Sequence, residues 1–289
     1  MTRFIFTATA GRSGQGYLAS LLNHHVPDCI ALFEEPQVKP ALPGALGDLE
    51  RYFRRRFVET HELLGRGRAM TAFQAGDEVA LNHMAAKRIA WLTHRMDGAT
   101  VCFDISKYFI RGLHRAMARA FPNLVLVRLV RDPVANMRSF LNRNKNFYLD
   151  NDGPGAPRNE LRLDPERLDK AGLYLWAWCE VYLRADALAA EFSLSPVVEI
   201  HTEDLRDAAI MTQHLAAIGL SHTPLLEQRT TNDNPSQGFA ETRIHPADIE
   251  TFERFRDFLP PAMLDRIPYL KTYNPRTAHC SLPPERKST

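Results

Sequence analysis

The strongest constraint on the fold lies at the start of the chain, where an apolar run leads into a glycine-rich turn. Residues 4–9 form a short, apolar and β-prone run, which stops just before Gly11. A helical spacing of leucines follows, at Leu18, Leu21 and Leu22. A strand, a tight turn and a helix in this order point several backbone N–H groups and a positive helix end at one place. The sequence therefore predicts an anion-binding loop that suits a phosphate or a sulfate.

The predicted loop consists of seven consecutive residues: Gly11, Arg12, Ser13, Gly14, Gln15, Gly16 and Tyr17. Its glycines let the backbone approach an anion closely, and Arg12 adds a charge that does not titrate near neutral pH. A Walker A loop needs a lysine followed by a hydroxyl residue, and a dinucleotide-binding loop needs another glycine spacing, so both are disfavoured. A glycine turn that binds no ligand is the simpler alternative.

A second motif follows the apolar run at residues 124–130, which predicts a buried parallel strand. The run ends at Arg131, and Pro133 then suits the first turn of a helix. Arg131 is therefore expected at the carboxyl end of a strand, with Ser139 on the helix that follows. The alternative is that Arg131 and Asp132 only cap this helix, with Asp132 as its N-cap.

The two motifs together resemble those of sulfotransferases that use 3′-phosphoadenosine 5′-phosphosulfate (PAPS). In that family a basic residue precedes Ser-Gly in the loop for the 5′-phosphosulfate, as Arg12 does here, but Gln15 and Gly16 replace the usual threonines. The family's 3′-phosphate motif has an arginine, a proline two residues later and a serine eight residues later, which Arg131 and Ser139 match. The resemblance implies PAPS as co-substrate, held by residues 11–17, Arg131 and Ser139, with no metal.

Further segments resemble the same family more weakly. Residues 201–205 resemble a Tyr-Glu-Asp-Leu segment, with Thr202 in place of the tyrosine, and residues 103–109 resemble a Glu-Lys-Ser/Thr segment. By this resemblance Arg12 is the cation at the bridging oxygen of PAPS, and Lys107 is a second candidate cation. Residues 232–239 lie where the family has a loop that closes over the cofactor.

A general base is expected after the second predicted strand, where Glu34, Glu35 and Pro36 follow one another. This resembles the acidic residue and proline that some sulfotransferases place beside the acceptor. Alternation along an extended chain allows only one of the two carboxylates to face the acceptor. The resemblance favours Glu35, which Pro36 follows directly, with Glu34 as its nearest competitor. The alternatives are a merely charged loop, a histidine base at His24 or His25, or no base.

The pattern of elements predicts an α/β fold: a single domain with a central parallel sheet flanked by helices, similar to the P-loop-like architecture of sulfotransferases. Strands are predicted at residues 3–9, 29–33, 100–104, 124–130 and 196–201. Helices are predicted at residues 14–24, within 45–64, and at 79–96, 108–120, 134–144, 169–192, 204–218 and 247–258. The domain is expected to cover residues 1–274, with a partly disordered tail at 275–289 and a mobile, lid-like loop at 144–165.

The segment at residues 51–57 combines four arginines with three aromatic residues at helical spacing. This predicts an amphipathic helix with its arginines solvated; the arginines are Arg51, Arg54, Arg55 and Arg56, and the aromatic residues are Tyr52, Phe53 and Phe57. The alternative is an arginine cluster that grips an acidic acceptor.

Composition narrows the function classes. The net charge of +2 disfavours nucleic acid as the main partner. The four cysteines form no CxxC pair, which favours free thiols in a reducing compartment. No segment approaches the ~20 apolar residues of a membrane span, so the expectation is a cytoplasmic enzyme. The resemblance implies a small-molecule or carbohydrate acceptor, but its identity stays open, because related folds serve sugars, lipids, phenols and peptidyl tyrosine.

Two rival functions fit the same motifs. A phosphotransferase with a degenerate nucleotide loop would need a magnesium ligand after a strand, for which Asp104 and Asp132 are the candidates. A catalytically inactive nucleotide-binding protein is favoured by Gln15 and Gly16, where the family's hydroxyl residues are missing.

Overall fold

The computed structural model describes residues 2–36, 41–57, 60–142, 153–225 and 244–279. Within these residues five strands form one sheet: β1 (Arg3–Ala8), β2 (Cys29–Phe33), β3 (Val101–Ile105), β4 (Val125–Val130) and β5 (Val197–His201). Each strand lies within one residue of its predicted bounds, so the strand predictions are confirmed.

The sheet is parallel throughout, with the order β2-β3-β1-β4-β5. The central strand is β1, because Ile5 pairs with Val125 of β4 and with Phe103 of β3. All five carboxyl ends therefore lie at the same edge of the sheet. The segment that follows β1 has the segments that follow β3 and β4 as its neighbours, and this α/β architecture is the predicted one.

Thirteen helices are described: α1 (Gln15–His25), α2 (Gly44–Phe57), α3 (Thr60–Leu64), α4 (Arg68–Ala75), α5 (Glu78–Arg95), α6 (His114–Ala120), α7 (Pro133–Leu141), α8 (Lys170–Glu191), α9 (Ala208–Ala217), α10 (Pro246–Phe258), α11 (Pro261–Asp265), α12 (Pro268–Thr272) and α13 (Pro275–His279). Three short 3-10 turns add Phe109–Arg111, Pro165–Arg167 and Asp204–Arg206. The sequence did not predict α4 or the short helices α11–α13. No described helix is both long enough and apolar enough to span a bilayer.

Helices cover both faces of the sheet. Alternation along β1 sends Ile5 to one face and Phe6 to the other. The Ile5 face packs against α1 and α9 through side chains such as Leu22 and Leu215. The Phe6 face packs against α4, α5, α6 and α8. Because each fully buried side chain of this size contributes about 1.5–3 kcal/mol, the sheet is a stable support for the loops at its edge.

The predicted lid at residues 144–165 is corrected in its second half. Residues 143–152 lie outside the described part, but Leu161 and Leu163 are buried in the core around α7, α8 and α10. The buried Glu180 of α8 accepts hydrogen bonds from the backbone N–H groups of Glu160 and Leu161. This long-range anchor makes residues 153–163 a packed connection.

The segment at residues 275–289, where a partly disordered tail is expected, starts with a short helix, α13. Arg276 forms an ion pair with Glu253 of α10, with 2.6 Å between Nη2 and Oε2. The predicted closing loop at residues 232–239 and the last ten residues, 280–289, lie outside the described residues.

Candidate functional site

The glycine-rich loop adopts a backbone conformation that ordinary residues avoid. Gly11, Arg12 and Gly14 have φ angles of 89°, 59° and 80°. A Cβ atom at Gly14 would lie 2.6 Å from Leu205 Cδ1, and one at Gly11 would lie 2.9 Å from Lys107 Cδ. Glycine at both positions therefore avoids a strained backbone and a close contact. Arg12 has no such freedom, and left-handed backbone at a non-glycine residue costs on the order of 1–3 kcal/mol and concentrates at functional sites.

Replacing glycines in this loop gives a prediction about stability. Gly14→Ala is expected to destabilise the fold by roughly 2–4 kcal/mol, because it adds a left-handed penalty and a steric clash. Gly16 has no positive φ, and its added Cβ would meet the Phe33 ring at an ordinary 3.6 Å. The matched control Gly16→Ala is thus expected to be neutral or to stabilise by about 0.5–1 kcal/mol. Urea unfolding of both variants measures the difference, and equal effects would contradict the loop geometry.

Hydrogen bonds from neighbouring elements hold the carbonyl groups of the loop. Asn136 Nδ2 of α7 donates to Gly11 O at 2.7 Å, and Arg131 Nη1 donates to Arg12 O at 2.8 Å. Thr202 Oγ1, which follows β5, donates to Ser13 O at 3.2 Å. Because C=O and N–H point in opposite directions across a trans peptide, the N–H groups of the same three peptide planes turn away from these donors. That orientation suits an anion on the open side of the loop.

The two predicted motifs meet through Arg12. Its Nε donates to Ser139 Oγ of α7 at 3.1 Å, although the two residues are 127 positions apart in the chain. Arg131 bonds to the backbone of the same residue. Burial lowers the pKa of Arg131, while Glu203 and Asp132 oppose this shift, and the ordinary value is so high that the guanidinium stays charged. A partly desolvated cation therefore lies against the loop.

A third cation, Lys107, reaches the loop from the end of β3. Its Nζ lies 2.9 Å from Glu34 Oε1, in a pair of which both side chains are partly buried. Gln15 Nε2 lies 3.5 Å from the same carboxylate oxygen, and the Lys107 side chain passes next to Gly11. Glu34 is thus the carboxylate that the fold places beside the loop.

Glu35, which the sequence favoured as the base, does not face the loop. Its carboxylate lies 3.5 Å from Arg95 Nη2 on α5 and is half-exposed, and its carbonyl accepts a hydrogen bond from Arg88. The preference for Glu35 assumed an extended chain with alternating side chains. Glu34 has a φ of 48° instead, so the chain turns here and the carboxylate nearer to β2 points toward Lys107.

Both candidate magnesium ligands are engaged in protein contacts. Asp104 is buried in β3 and forms an ion pair with the buried Arg88 of α5, with 2.8 Å between Oδ2 and Nη2. Burial raises the pKa of Asp104, and Arg88 opposes this shift. Asp132 caps α7 by accepting from Ala135 N at 2.8 Å, as the capping alternative predicted.

The remaining predicted residues have structural surroundings of their own. The Ser13 hydroxyl is buried and donates to Gly11 O, so this residue can offer an anion only its backbone. Tyr17 lies in the first turn of α1 and packs against the core, where burial raises its pKa. His24 and His25 end α1, about 15 Å along the helix from the loop. This distance removes both histidines from the loop.

Two residues that the sequence analysis did not name, Asn136 and Arg88, complete the site together with Thr202, to which the sequence analysis gave no role. Asn136 and Thr202 fix the loop carbonyls, and Arg88 joins α5 to β3 and to the backbone of Glu35. A signal for Asn136 exists, since it lies three positions before Ser139 and therefore on the same helix face. Arg88 has no comparable local signal, because its partner is distant in sequence.

Comparisons with known proteins give likenesses in structure alone. No protein-family model matches the chain, and no curated protein matches it. The structure is similar to the sulfotransferase domain from the Synechococcus PCC 7002 olefin synthase, with 18% sequence identity, a TM-score of 0.47 and coverage of 94% of each chain. The α/β class of this chain is established by its own parallel sheet.

Proposed function

We propose that this protein is a sulfotransferase that moves a sulfuryl group from PAPS to an acceptor hydroxyl. The observation that carries the proposal is the contact of the two motifs, in which Arg12 bonds to Ser139 and receives a bond from Arg131. β1 and β4 are neighbouring parallel strands, so the segments that follow them are adjacent. The side chains that meet there belong to both motifs, as a nucleotide with two anionic groups on one ribose requires.

The donor nucleotide would be held by residues whose charge and geometry fit it. The N–H groups of the loop, the start of α1 and the Arg12 side chain would bind the 5′-phosphosulfate. Arg131 and Ser139 would bind the 3′-phosphate. The fit is supported by the left-handed backbone of Gly11, Arg12 and Gly14, and by the partly desolvated Arg131 beside the loop.

The reaction would depend on positioning and charge stabilisation, as in phosphoryl transfer. PAPS supplies a sulfuryl group with a good leaving group. The acceptor oxygen forms a bond to sulfur while the bond from sulfur to the bridging phosphate oxygen breaks. Arg12, with Lys107 as second cation, would stabilise the charge that develops on this oxygen. Glu34 would accept the acceptor's proton, and 3′-phosphoadenosine 5′-phosphate would leave.

The rival phosphotransferase function is less well supported. The Asp104 carboxylate is paired with Arg88, and the Asp132 carboxylate caps α7. We place the enzyme in the cytoplasm on the basis of its composition, and the resemblance of its motifs favours a small-molecule or carbohydrate acceptor. An inactive nucleotide-binding protein would keep the loop contacts but give no turnover.

Nucleotide binding tests the proposal directly. We expect PAPS and 3′-phosphoadenosine 5′-phosphate to raise the melting temperature, since a ligand at a hundredfold excess over its Kd adds about 2.7 kcal/mol of stability. ATP, with or without magnesium, should shift it much less because it lacks the 3′-phosphate. Arg131→Ala should weaken PAPS binding by about 1.5–3 kcal/mol, the value of a charged hydrogen bond.

The matched control is Arg115→Ala, which removes a surface arginine that pairs with Glu191 and should leave PAPS affinity unchanged. ATP binding as tight as PAPS binding would contradict the proposed donor. So would an Arg131→Ala variant that binds PAPS normally.

A further inference from the structure

The helix α2 carries its large apolar side chains on the outside of the protein. Leu46, Leu49 and Phe53 are 62%, 52% and 49% exposed. Their spacing of three and four positions places them on one face of the helix. Leu42, just before the helix, and Tyr52 are also about half exposed. We call the face formed by Leu46, Leu49 and Phe53 the α2 stripe.

The orientation of α2 is opposite to that of an ordinary surface helix, which turns its apolar face to the core. Among the α2 residues whose burial the structure describes, Gly47 is buried. It lies about 100° around the helix from Leu46, away from the centre of the stripe. Exposed apolar groups that lie together on a soluble protein mark an interaction surface, and the α2 stripe is such a group.

The charge of α2 indicates the kind of surface it would meet. The helix contains four arginines and two acidic residues within 14 positions. A short helix of low overall hydrophobicity, rich in arginine and with leucine and phenylalanine on one face, is typical of helices that lie in a membrane interface. We propose that α2 docks on an anionic lipid surface, with the α2 stripe inserted among the acyl chains and the arginines at the headgroups.

Charge also argues against the other occupants of the stripe. A second copy of this chain, packed stripe to stripe about a twofold axis, would bring two arginine-rich helices together and cost repulsion. The core of a protein–protein interface is depleted of charged residues. An anionic leaflet instead attracts each arginine near its surface. The inference does not depend on the proposed sulfotransferase activity, because it rests on α2 alone.

Vesicle sedimentation of the full-length protein tests the inference. We expect binding to vesicles of phosphatidylcholine with 30 mol% phosphatidylserine, weak binding to pure phosphatidylcholine, and weaker binding at high salt. The triple variant Leu46→Glu/Leu49→Glu/Phe53→Glu should lose binding by at least roughly tenfold, since its stripe cannot enter the acyl region. Arg55→Gln/Arg56→Gln should weaken binding to the anionic vesicles roughly 30-fold at low salt.

The matched control is Val79→Glu, which changes an exposed apolar residue on α5 and should leave vesicle binding unchanged. Circular dichroism of the variants checks folding, and the arginine variant leaves the α2 stripe intact should the triple variant fail to fold. Three outcomes would overturn the inference. These are no binding to anionic vesicles, equal binding by the parent and the arginine variant, or a dimer in solution that the triple variant converts to a monomer.

Discussion

Replacing Glu34 with glutamine is expected to lower kcat by about 10²–10⁴ while leaving the affinity for PAPS nearly unchanged. Glutamine keeps the shape of the side chain and its contact with Lys107, but it cannot take the acceptor's proton. The measurement is the formation of 3′-phosphoadenosine 5′-phosphate from PAPS in the presence of a panel of phenols and monosaccharides.

Glu35→Gln is the matched control, because it makes the same change one residue away. The carboxylate of Glu35 lies against Arg95, away from the loop, so the kcat of Glu35→Gln should stay close to that of the parent. A large loss in Glu35→Gln with normal turnover in Glu34→Gln would restore the carboxylate that the sequence favoured. Normal turnover in both variants would show that the reaction uses neither carboxylate as its base.

The different surroundings of Glu34 and Glu35 show where prediction from sequence ended. The five strands could be located because each combines apolar residues with clear turn signals at its ends. The parallel order then brought the predicted basic residues to one edge. The left-handed backbone of Glu34 had no local signal, because glycine or asparagine normally marks this conformation. In this conformation the Glu34 side chain contacts Lys107 and Gln15, which are distant in the sequence.

Contacts between distant segments explain the other differences. The polar segment at residues 153–163 resembled a mobile loop, but the buried pair of Glu180 and Arg184 on α8 supports its backbone. Only the fold brings the two together. For α2 the predicted helix is confirmed, while the predicted solvation of its arginine side chains lies outside what the structure describes. Which face of a helix turns outward depends on the neighbouring elements, and Leu46 and Phe53 are exposed.

Asn136 is a site residue whose role the sequence predicts only in part. Asparagine in the interior of a helix is unfavourable, so its presence in α7 indicates a task for the side chain. Its Nδ2 holds Gly11 O, and its buried Oδ1 has no hydrogen-bond partner within the described residues. Spacing placed it on the Ser139 face, but its partner in the loop could be known only from the fold.

Replacing Arg12 with alanine is expected to lower kcat by about 10²–10³, the usual loss when one donor to a developing negative charge is removed. The affinity for PAPS should fall by less than about tenfold, because Arg131 and the loop backbone still bind the nucleotide. The effect on kcat should exceed the effect on affinity because the guanidinium interacts most strongly with the bridging oxygen while the bond from this oxygen to sulfur breaks. Steady-state turnover, together with calorimetric titration of 3′-phosphoadenosine 5′-phosphate, separates the two effects.

Ser139→Ala is the control, because it removes the hydrogen-bond partner of Arg12 but leaves the charge in place. It should weaken nucleotide binding and change kcat little.

Activity should also survive a chelator, since Arg12 and Lys107 supply the positive charge that magnesium provides in phosphotransferases. If Arg12→Ala lost affinity with an unchanged kcat, Arg12 would be an anchor for the nucleotide. Activity that a chelator abolished and magnesium restored would favour the phosphotransferase instead, because a metal would then carry the charge assigned to Arg12.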